Sequence, residues 1–172
     1  VHLSDNHVTR LMKLTIKSYT ILLLFSLSSL WSVAQINTDR VMNIGRNALY
    51  FEDYILSMQY FNQVIKVKPY MAEPYFYRGI AKLSLDDYKG AEEDCTLCIE
   101  RNPFIVNAYQ VRGIARQNLG NYQGAIDDYT EGLRYAPEDR TFLNNKAIAE
   151  VQLKKYDEAE KSFDKLIALH PN

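Results

Sequence analysis

The sequence is poor in the residues that usually carry chemistry. Histidine occurs three times and cysteine twice in 172 residues, and beyond residue 34 the only histidine is His170. That part of the chain therefore lacks the material for a Ser/His/Asp triad, and two thiols without further Cys or His neighbours argue against a metal site. A formal net charge of −1 gives no electrostatic basis for binding nucleic acid or an acidic membrane. We expect no enzyme activity, no cofactor and no metal.

Long hydrophobic runs are also scarce, and the only one, residues 19–31, lies near the amino end. Lys13 and Lys17 precede this run and Ser32-Val33-Ala34 follows it. This order is typical of a secretory signal peptide, and 13 apolar-rich residues are too few to span a bilayer of roughly 30 Å. The pattern predicts a signal peptide over residues 12–34. An uncleaved anchor and a buried core helix are the alternatives.

The predicted cleavage after Ala34 leaves Gln35 as the mature end, with no membrane attachment afterwards. Residues 1–11 precede Met12 and fit neither the signal peptide nor the repeats of the mature chain, so we interpret them as a mis-assigned upstream start. The mature chain holds no glycosylation sequon, which favours a bacterial periplasm or cell envelope over a eukaryotic secretory route.

Proline and glycine are few, but four of the five prolines and three of the seven glycines recur at a constant interval of 34 residues. The same interval appears in a tyrosine column, in two columns of small residues and in a column of large residues that Cys95 interrupts. These columns are Pro69, Pro103, Pro137, Pro171; Tyr54, Tyr88, Tyr122, Tyr156; Gly45, Gly79, Gly113, Ala147; Ser57, Ala91, Ala125, Ala159; and Phe61, Tyr129, Phe163. The period predicts four repeats over residues 38–71, 72–105, 106–139 and 140–172.

Each repeat has the pattern of two helices, as its third copy illustrates. Tyr109, Ala115 and Leu119 share one face of a first helix, and Gly120-Asn121 interrupts it. A second helix over residues 123–135 ends at Ala136-Pro137, because proline disfavours helix in the residue before it. Gly113 is small, as the crossing point of two helices requires.

These columns resemble the tetratricopeptide repeat family, over about four fifths of the chain. The resemblance implies an all-α fold: a right-handed α-α superhelix of four 34-residue helix-turn-helix units, forming one domain over residues 35–172. The sequence departs from the family at Ala48, Lys82, Arg116 and Glu150, where a tyrosine is common.

Two equivalent positions hold an arginine and an aspartate in repeats two and three. Arg78 precedes Asp94 by the same interval at which Arg112 precedes Asp128, and in the first and fourth repeats other residues replace both the arginine and the aspartate. We expect cross-helix ion pairs inside repeats two and three; the alternative is unrelated solvated charges.

Two motifs look catalytic but have plainer explanations. Cys95 and Cys98 fall in the middle of a second helix, where two small buried residues are the simplest interpretation and a strained disulfide is the alternative. The acidic pair at residues 86–87 falls at a hairpin turn, and Asp128 belongs to the proposed ion pair.

The resemblance also implies a binding face, because first helices line the concave side of such solenoids. Isoleucines would form an apolar stripe there, although part of that stripe could equally be inter-repeat core. Asparagine and glutamine amides beside it could bond an extended peptide backbone. The predicted groove residues are Arg46, Phe76, Ile80, Asn107, Gln110, Ile114, Gln117, Asn144 and Ile148.

We therefore expect an exported scaffold that binds a protein or an extended peptide. The family's chaperone-tail clamp is not indicated, because its groove positions hold Phe76, Ile80, Val111, Thr141 and Asn145, none of them a cation. An alternative is the amino-terminal repeat module of a longer envelope enzyme or glycan-handling protein. Self-association is a further alternative, since Leu166, Ile167 and Leu169 form an edge without a covering polar helix.

Overall fold

The computed structural model describes residues 37–169, and the predicted signal peptide, the start segment and His170 lie outside this range. Between residues 37 and 169 the chain forms eight α-helices and no strand, which confirms the all-α superhelical repeat fold. The helices are α1 Thr38–Tyr50, α2 Tyr54–Val67, α3 Glu73–Ser84, α4 Tyr88–Arg101, α5 Asn107–Asn118, α6 Tyr122–Tyr135, α7 Arg140–Gln152 and α8 Tyr156–Leu169. None of these helices is long and apolar enough to cross a membrane.

The turns inside the four hairpins repeat the same backbone conformation. Glu52, Asp86, Gly120 and Lys154 occupy the same position of successive repeats, and all have positive φ, of 63°, 59°, 79° and 59°. The next residue caps the second helix in three repeats: the side chains of Asp53, Asp87 and Asn121 accept a hydrogen bond from a backbone N–H three residues on. Only one of the four positive-φ positions is a glycine, although the left-handed region favours it.

The small-residue column marks where the two helices of a hairpin approach each other. A Cβ added to Gly113 would collide with Cε1 of Tyr129, which is fully buried. Tyr109 and Ala115 are buried as expected, but the expectation that Leu119 shares their face is wrong. Leu119 caps α5 where the chain begins to turn, and its side chain is 47% exposed.

The hairpins stack so that the first helices adjoin one another. Within residues 38–169, the backbones of α1 and α3, of α3 and α5, and of α5 and α7 approach within 8 Å between Cα atoms, whereas those of successive second helices do not. Each second helix instead packs against the first helix of the following repeat. This asymmetry brings the first helices together on one side of the stack, which we call the inner face.

The predicted ion pairs are confirmed, and they are buried. Arg78 Nη2 lies 2.5 Å from Asp94 Oδ1, and Arg112 Nη2 lies 2.6 Å from Asp128 Oδ1. Lys82 and Arg116 add a second cation to each carboxylate, at 2.9 and 3.0 Å. Because both aspartates are buried, these are structural ion pairs and not solvated surface charges.

Repeat four keeps the cluster with its charges rearranged. Lys146 Nζ lies 2.5 Å from Glu150 Oε1 and donates to Ser162 Oγ at 3.2 Å. Ser162 in turn donates to Glu150 Oε2 at 2.7 Å. In this repeat the acid, Glu150, lies on the first helix at the position equivalent to Lys82 and Arg116. Ser162, on the second helix, stands at the position of the aspartates in repeats two and three.

The two cysteines are free and fully buried, which confirms the structural interpretation of this motif. Burial raises the pKa of Cys98 to about 12 and also raises the pKa of Cys95. Both thiols therefore stay protonated near neutral pH, as is usual for buried structural cysteines. In repeat two, Cys95 occupies the site that a tyrosine or a phenylalanine fills in the other repeats.

Candidate peptide-binding face

The nine predicted groove residues all lie on α1, α3, α5 and α7, the helices of the inner face. Arg46 and Asn107 are exposed, and the side chain of Ile148 is 36% exposed. The other six are half-buried. These positions therefore lie on adjoining helices and keep part of their surface accessible, as a groove requires.

The amino-terminal end of the inner face holds a charged cavity of about 380 Å³ between α1 and α3. Its lining includes the predicted Arg46 together with Asp39, Met42, Met71, Glu73 and Tyr77. The Arg46 guanidinium lies 5.8 Å from the centre of the Tyr77 ring and donates to Asn43 Oδ1. Within the described residues, neither Asp39 nor Glu73 pairs with this cation, so acceptors and donors both remain available to a ligand.

The middle and carboxyl-terminal parts of the inner face are uncharged. Ile80, Ile114 and Ile148 lie at the same position of successive repeats, and their exposure rises to 36% at Ile148. Gln110 and Asn144 form no side-chain hydrogen bond within residues 37–169, so their amides can donate and accept. An apolar row beside free amides matches an extended chain, which presents side chains and backbone polar groups alternately.

Two of the predicted residues also have structural roles. Gln117 Oε1 accepts a hydrogen bond from the buried Tyr129 hydroxyl at 3.1 Å, which leaves its NH₂ and one lone pair of its oxygen for a ligand. Phe76 packs against a core cluster that includes Tyr75 and Cys98, and its ring centre lies 5.1 Å from that of Tyr77. Substituting either residue would therefore disturb the fold as well as the face.

The sequence prediction missed Tyr77 and Met71, which form walls of the charged cavity. Tyr77 stacks on Phe61 at 5.7 Å between ring centres, with the planes 20° apart. The aromatic run at residues 75–77 was a visible signal. Which of its three rings faces the cavity depends on how α3 rotates against α1.

Comparison with known proteins identifies the repeat. A sequence model of the tetratricopeptide repeat matches residues 111–172. No curated protein sequence matches the chain.

Solved structures share the fold. A crystal structure of MamA superposes with a TM-score of 0.76 at 18% identity, over 83% of this chain and 83% of that one. MamA from Desulfovibrio magneticus RS-1 superposes with a TM-score of 0.73 at 19% identity, over 77% of this chain and 75% of that one. The tetratricopeptide domain of Arabidopsis OM64 gives 0.64 at 26% identity, over 65% of this chain and 93% of that domain. From residue 38 to residue 169, the chain therefore has the fold of a tetratricopeptide repeat solenoid, with four hairpins.

Proposed function

We propose that this protein is a non-catalytic scaffold that binds an extended segment of a partner protein on its inner face. The observation that supports this most directly is the row of partly exposed isoleucines beside the amides of Gln110 and Asn144, which form no side-chain hydrogen bond within residues 37–169. A backbone that lies along the row can pair with the amides while apolar side chains of the segment rest on the isoleucines.

The distribution of charge on the inner face restricts which segments can bind. The row of Ile80, Ile114 and Ile148 is apolar, and the charged side chains of the face lie in the cavity around Arg46. The segment that binds best is therefore apolar over most of its length, with a charged group at the end that meets this cavity. A run of like charges along the segment would lose its hydration without gaining a partner.

The test uses peptides selected from a random display library against residues 35–172. Affinity is then measured by fluorescence anisotropy on the intact protein and on two variants, Gln110→Ala and Ile148→Glu. Glu93→Ala and Lys66→Ala, both exposed on second helices, are matched controls. We expect each inner-face change to weaken binding about fivefold or more, since one lost hydrogen bond or one mismatched apolar contact is worth ~1 kcal/mol.

Circular dichroism checks that the variants remain folded. A selected peptide that binds all four variants like the parent would refute the inner face as the binding site. If binding is lost only in the second-helix variants, the partner lies on the outer side of the solenoid.

We also propose export to a bacterial periplasm or envelope, with a mature amino end at Gln35. This proposal rests on the sequence order in residues 12–34, which lies outside the described range. Expression of residues 12–172 in a bacterial host, followed by amino-terminal sequencing of the osmotic-shock fraction, tests it. Recovery of uncleaved protein in the cytoplasm would contradict the proposal.

A further inference from the structure

Repeat four contains a cavity of about 280 Å³ between its two helices and the preceding repeat. Leu133 of α6 forms one wall, Leu143 and Lys146 of α7 form another, and side chains of α8 form the rest. None of these residues belongs to the predicted groove of the inner face. The cavity is therefore a second candidate site, and its lining combines apolar, hydroxyl and charged groups.

The cavity lies where repeat four has smaller side chains than repeats two and three. In repeat three, the Arg112 guanidinium lies 5.8 Å from the centre of the Tyr109 ring and binds the Asp128 carboxylate at 2.6 Å. Repeat four has no ring, guanidinium or carboxylate at these three positions. The equivalent pairs are Tyr109 and Leu143, Arg112 and Lys146, and Asp128 and Ser162.

Two buried polar side chains of the lining hold a lysine in place. Lys146 Nζ donates to Glu150 Oε1 at 2.5 Å and to Ser162 Oγ at 3.2 Å. Glu150 and Ser162 are only 3% and 7% exposed. Because an ammonium group carries three N–H donors, one donor of Lys146 remains for a ligand within the part of the chain that the structure describes.

Lys161 and Lys165, one helical turn apart on α8, add two further cations to the lining. Both are exposed, and neither forms a hydrogen bond or an ion pair within residues 37–169. Asp127 and Glu131 stand at their positions in repeat three, and no cation occupies either position in repeats one and two. These lysines are therefore specific to repeat four and are not a feature of the repeat.

The charges of the lining do not cancel. Its three lysines face two acids, Glu150 and Glu158, which leaves a net charge of +1. Lys146 already matches Glu150. Glu158 lies in the first turn of α8, where the helix dipole favours a carboxylate, and it forms no ion pair with Lys161 or Lys165 among the described residues. The cavity therefore accommodates one additional negative charge.

The equivalent positions of repeat three show that this side of a second helix stays uncovered when another repeat follows. Asp127 is exposed there, and Gly124 and Glu131 are half-buried. The hydrogen bonds of these three residues stay inside repeat three and do not reach repeat four. The openness of the cavity is therefore a property of its position on the second helix.

We propose that this cavity binds a monocarboxylate that carries a short apolar group. The ligand carboxylate accepts from Lys146, is attracted by the two lysines of α8, and supplies the group that Asp128 provides in repeat three. The apolar group rests on Leu133 and Leu143. One negative charge neutralises the lining, whereas a dianion would place an excess charge near Glu150, which costs free energy.

The size of the cavity limits the ligand. Its volume lies just below the range of about 300–1,000 Å³ that is usual for drug-sized ligands. A free short-chain acid fits this volume, and so does the carboxyl end of a polypeptide with an apolar last residue. Both sources present the same chemistry. Because the cavity is separate from the inner face, this inference does not depend on the proposed function.

The first probe is butyrate, titrated into ¹⁵N-labelled protein near pH 7 at about 50 mM salt, where charge pairs are weakly screened. Amide chemical shifts locate the site and give the dissociation constant. We expect saturable shifts in α6, α7 and α8 with a dissociation constant of about 1–10 mM, as is usual for so few atoms. Butyramide, which has the same shape without the charge, should bind at least about fivefold more weakly.

Variants of the exposed lysines test the charge. The double variant Lys161→Gln/Lys165→Gln should weaken butyrate binding about fivefold or more, because it removes two unpaired cations. The matched control Lys66→Gln/Lys89→Gln removes two exposed lysines from other second helices and should bind butyrate like the parent. Circular dichroism verifies that all variants remain folded.

Two further variants change the lining in opposite directions. Glu158→Gln should strengthen butyrate binding about twofold to threefold, because it removes an acid from the lining. Leu143→Tyr restores the ring of repeats two and three and should abolish binding by filling the cavity. If this tyrosine variant does not fold, the lysine and glutamine variants still decide the question.

Three results would overturn the inference: no saturable shifts with butyrate up to about 50 mM, equal affinity for butyrate and butyramide, or unchanged binding by the double variant of Lys161 and Lys165. Inorganic phosphate that binds more tightly than butyrate would overturn the assignment of a monoanion. Acetyl-Gly-Leu with a free carboxyl end distinguishes the sources. Tighter binding of this peptide than of butyrate, lost on amidation, supports the end of a polypeptide, and tighter binding of butyrate supports a free acid.

Discussion

Replacing Asp128 by alanine tests whether the buried charge cluster holds repeat three together. Asp128 is 2% exposed, and its carboxylate accepts from Arg112 Nε and Nη2 at 3.0 and 2.6 Å and from Arg116 Nη1 at 3.0 Å. Alanine would leave both guanidinium groups without this acceptor. The neighbouring Asp127 is exposed, and within residues 37–169 its side chain accepts a hydrogen bond only from the Gln123 amide, at 2.9 Å, so it provides a control of the same charge.

The expected loss follows from the exposure of the two arginines. Removing one member of a fully buried ion pair costs about 3–5 kcal/mol of unfolding free energy. Here the arginine side chains keep 13% and 21% of their surface exposed, and Arg116 retains Glu92 as a partner. Solvent and this partner relieve part of the penalty, so we expect about 2–4 kcal/mol for Asp128→Ala and about 0.5 kcal/mol or less for Asp127→Ala.

The assay is urea unfolding followed by circular dichroism at 222 nm. With a slope of about 2 kcal/mol per molar urea, the midpoint for Asp128→Ala should fall by about 1–2 M, with little change for Asp127→Ala. Equal midpoints for the two variants would refute the structural role of the cluster. The double variant Arg112→Met/Asp128→Leu should recover part of the loss, because it removes the unpaired charge as well as its partner.

Burial raises the pKa of Asp128, although hydrogen bonds and charges from Arg112 and Arg116 act in the opposite direction. Desolvation of the carboxylate thus outweighs its attraction to the guanidinium groups. The net contribution of the cluster to stability is therefore smaller than the cost of breaking it, because the loss of one member leaves the others unpaired.

Three further predictions concern the turns, the helix crossings and the thiols. Lys154→Gly should raise the free energy of unfolding by about 0.5–1 kcal/mol in the same urea assay, because φ at Lys154 is 59° and glycine adopts that value without strain; a destabilised variant would contradict this. Gly113→Ala should lower the free energy of unfolding by about 1–2 kcal/mol, since the added Cβ collides with the buried Tyr129 ring and this overpacking outweighs the better helix propensity of alanine. Unchanged stability would show that the two helices can separate. Ellman's reagent should label neither Cys95 nor Cys98 in the native protein and both in 8 M urea (about the usual denaturing concentration), because both thiols are buried and their pKa values are raised; labelling of the native protein would contradict the burial.

The sequence alone determined the features that recur in every repeat. The constant repeat interval established four hairpins, since proline and the turn residues end helices through local backbone chemistry. It also identified the pairs of Arg78 with Asp94 and Arg112 with Asp128, because both members change together in the other repeats. Such inferences need only the comparison of equivalent positions along one chain.

Only the tertiary structure decided how side chains that break the pattern are used. The rearranged cluster of Lys146, Glu150 and Ser162 was invisible as a unit, because its acid occupies the column that holds a cation in repeats two and three. Gln117 has the sequence position of a free groove amide, yet its oxygen accepts the Tyr129 hydroxyl. These roles depend on how each helix rotates and packs against its neighbours, and the spacing of residues along a chain does not contain that information.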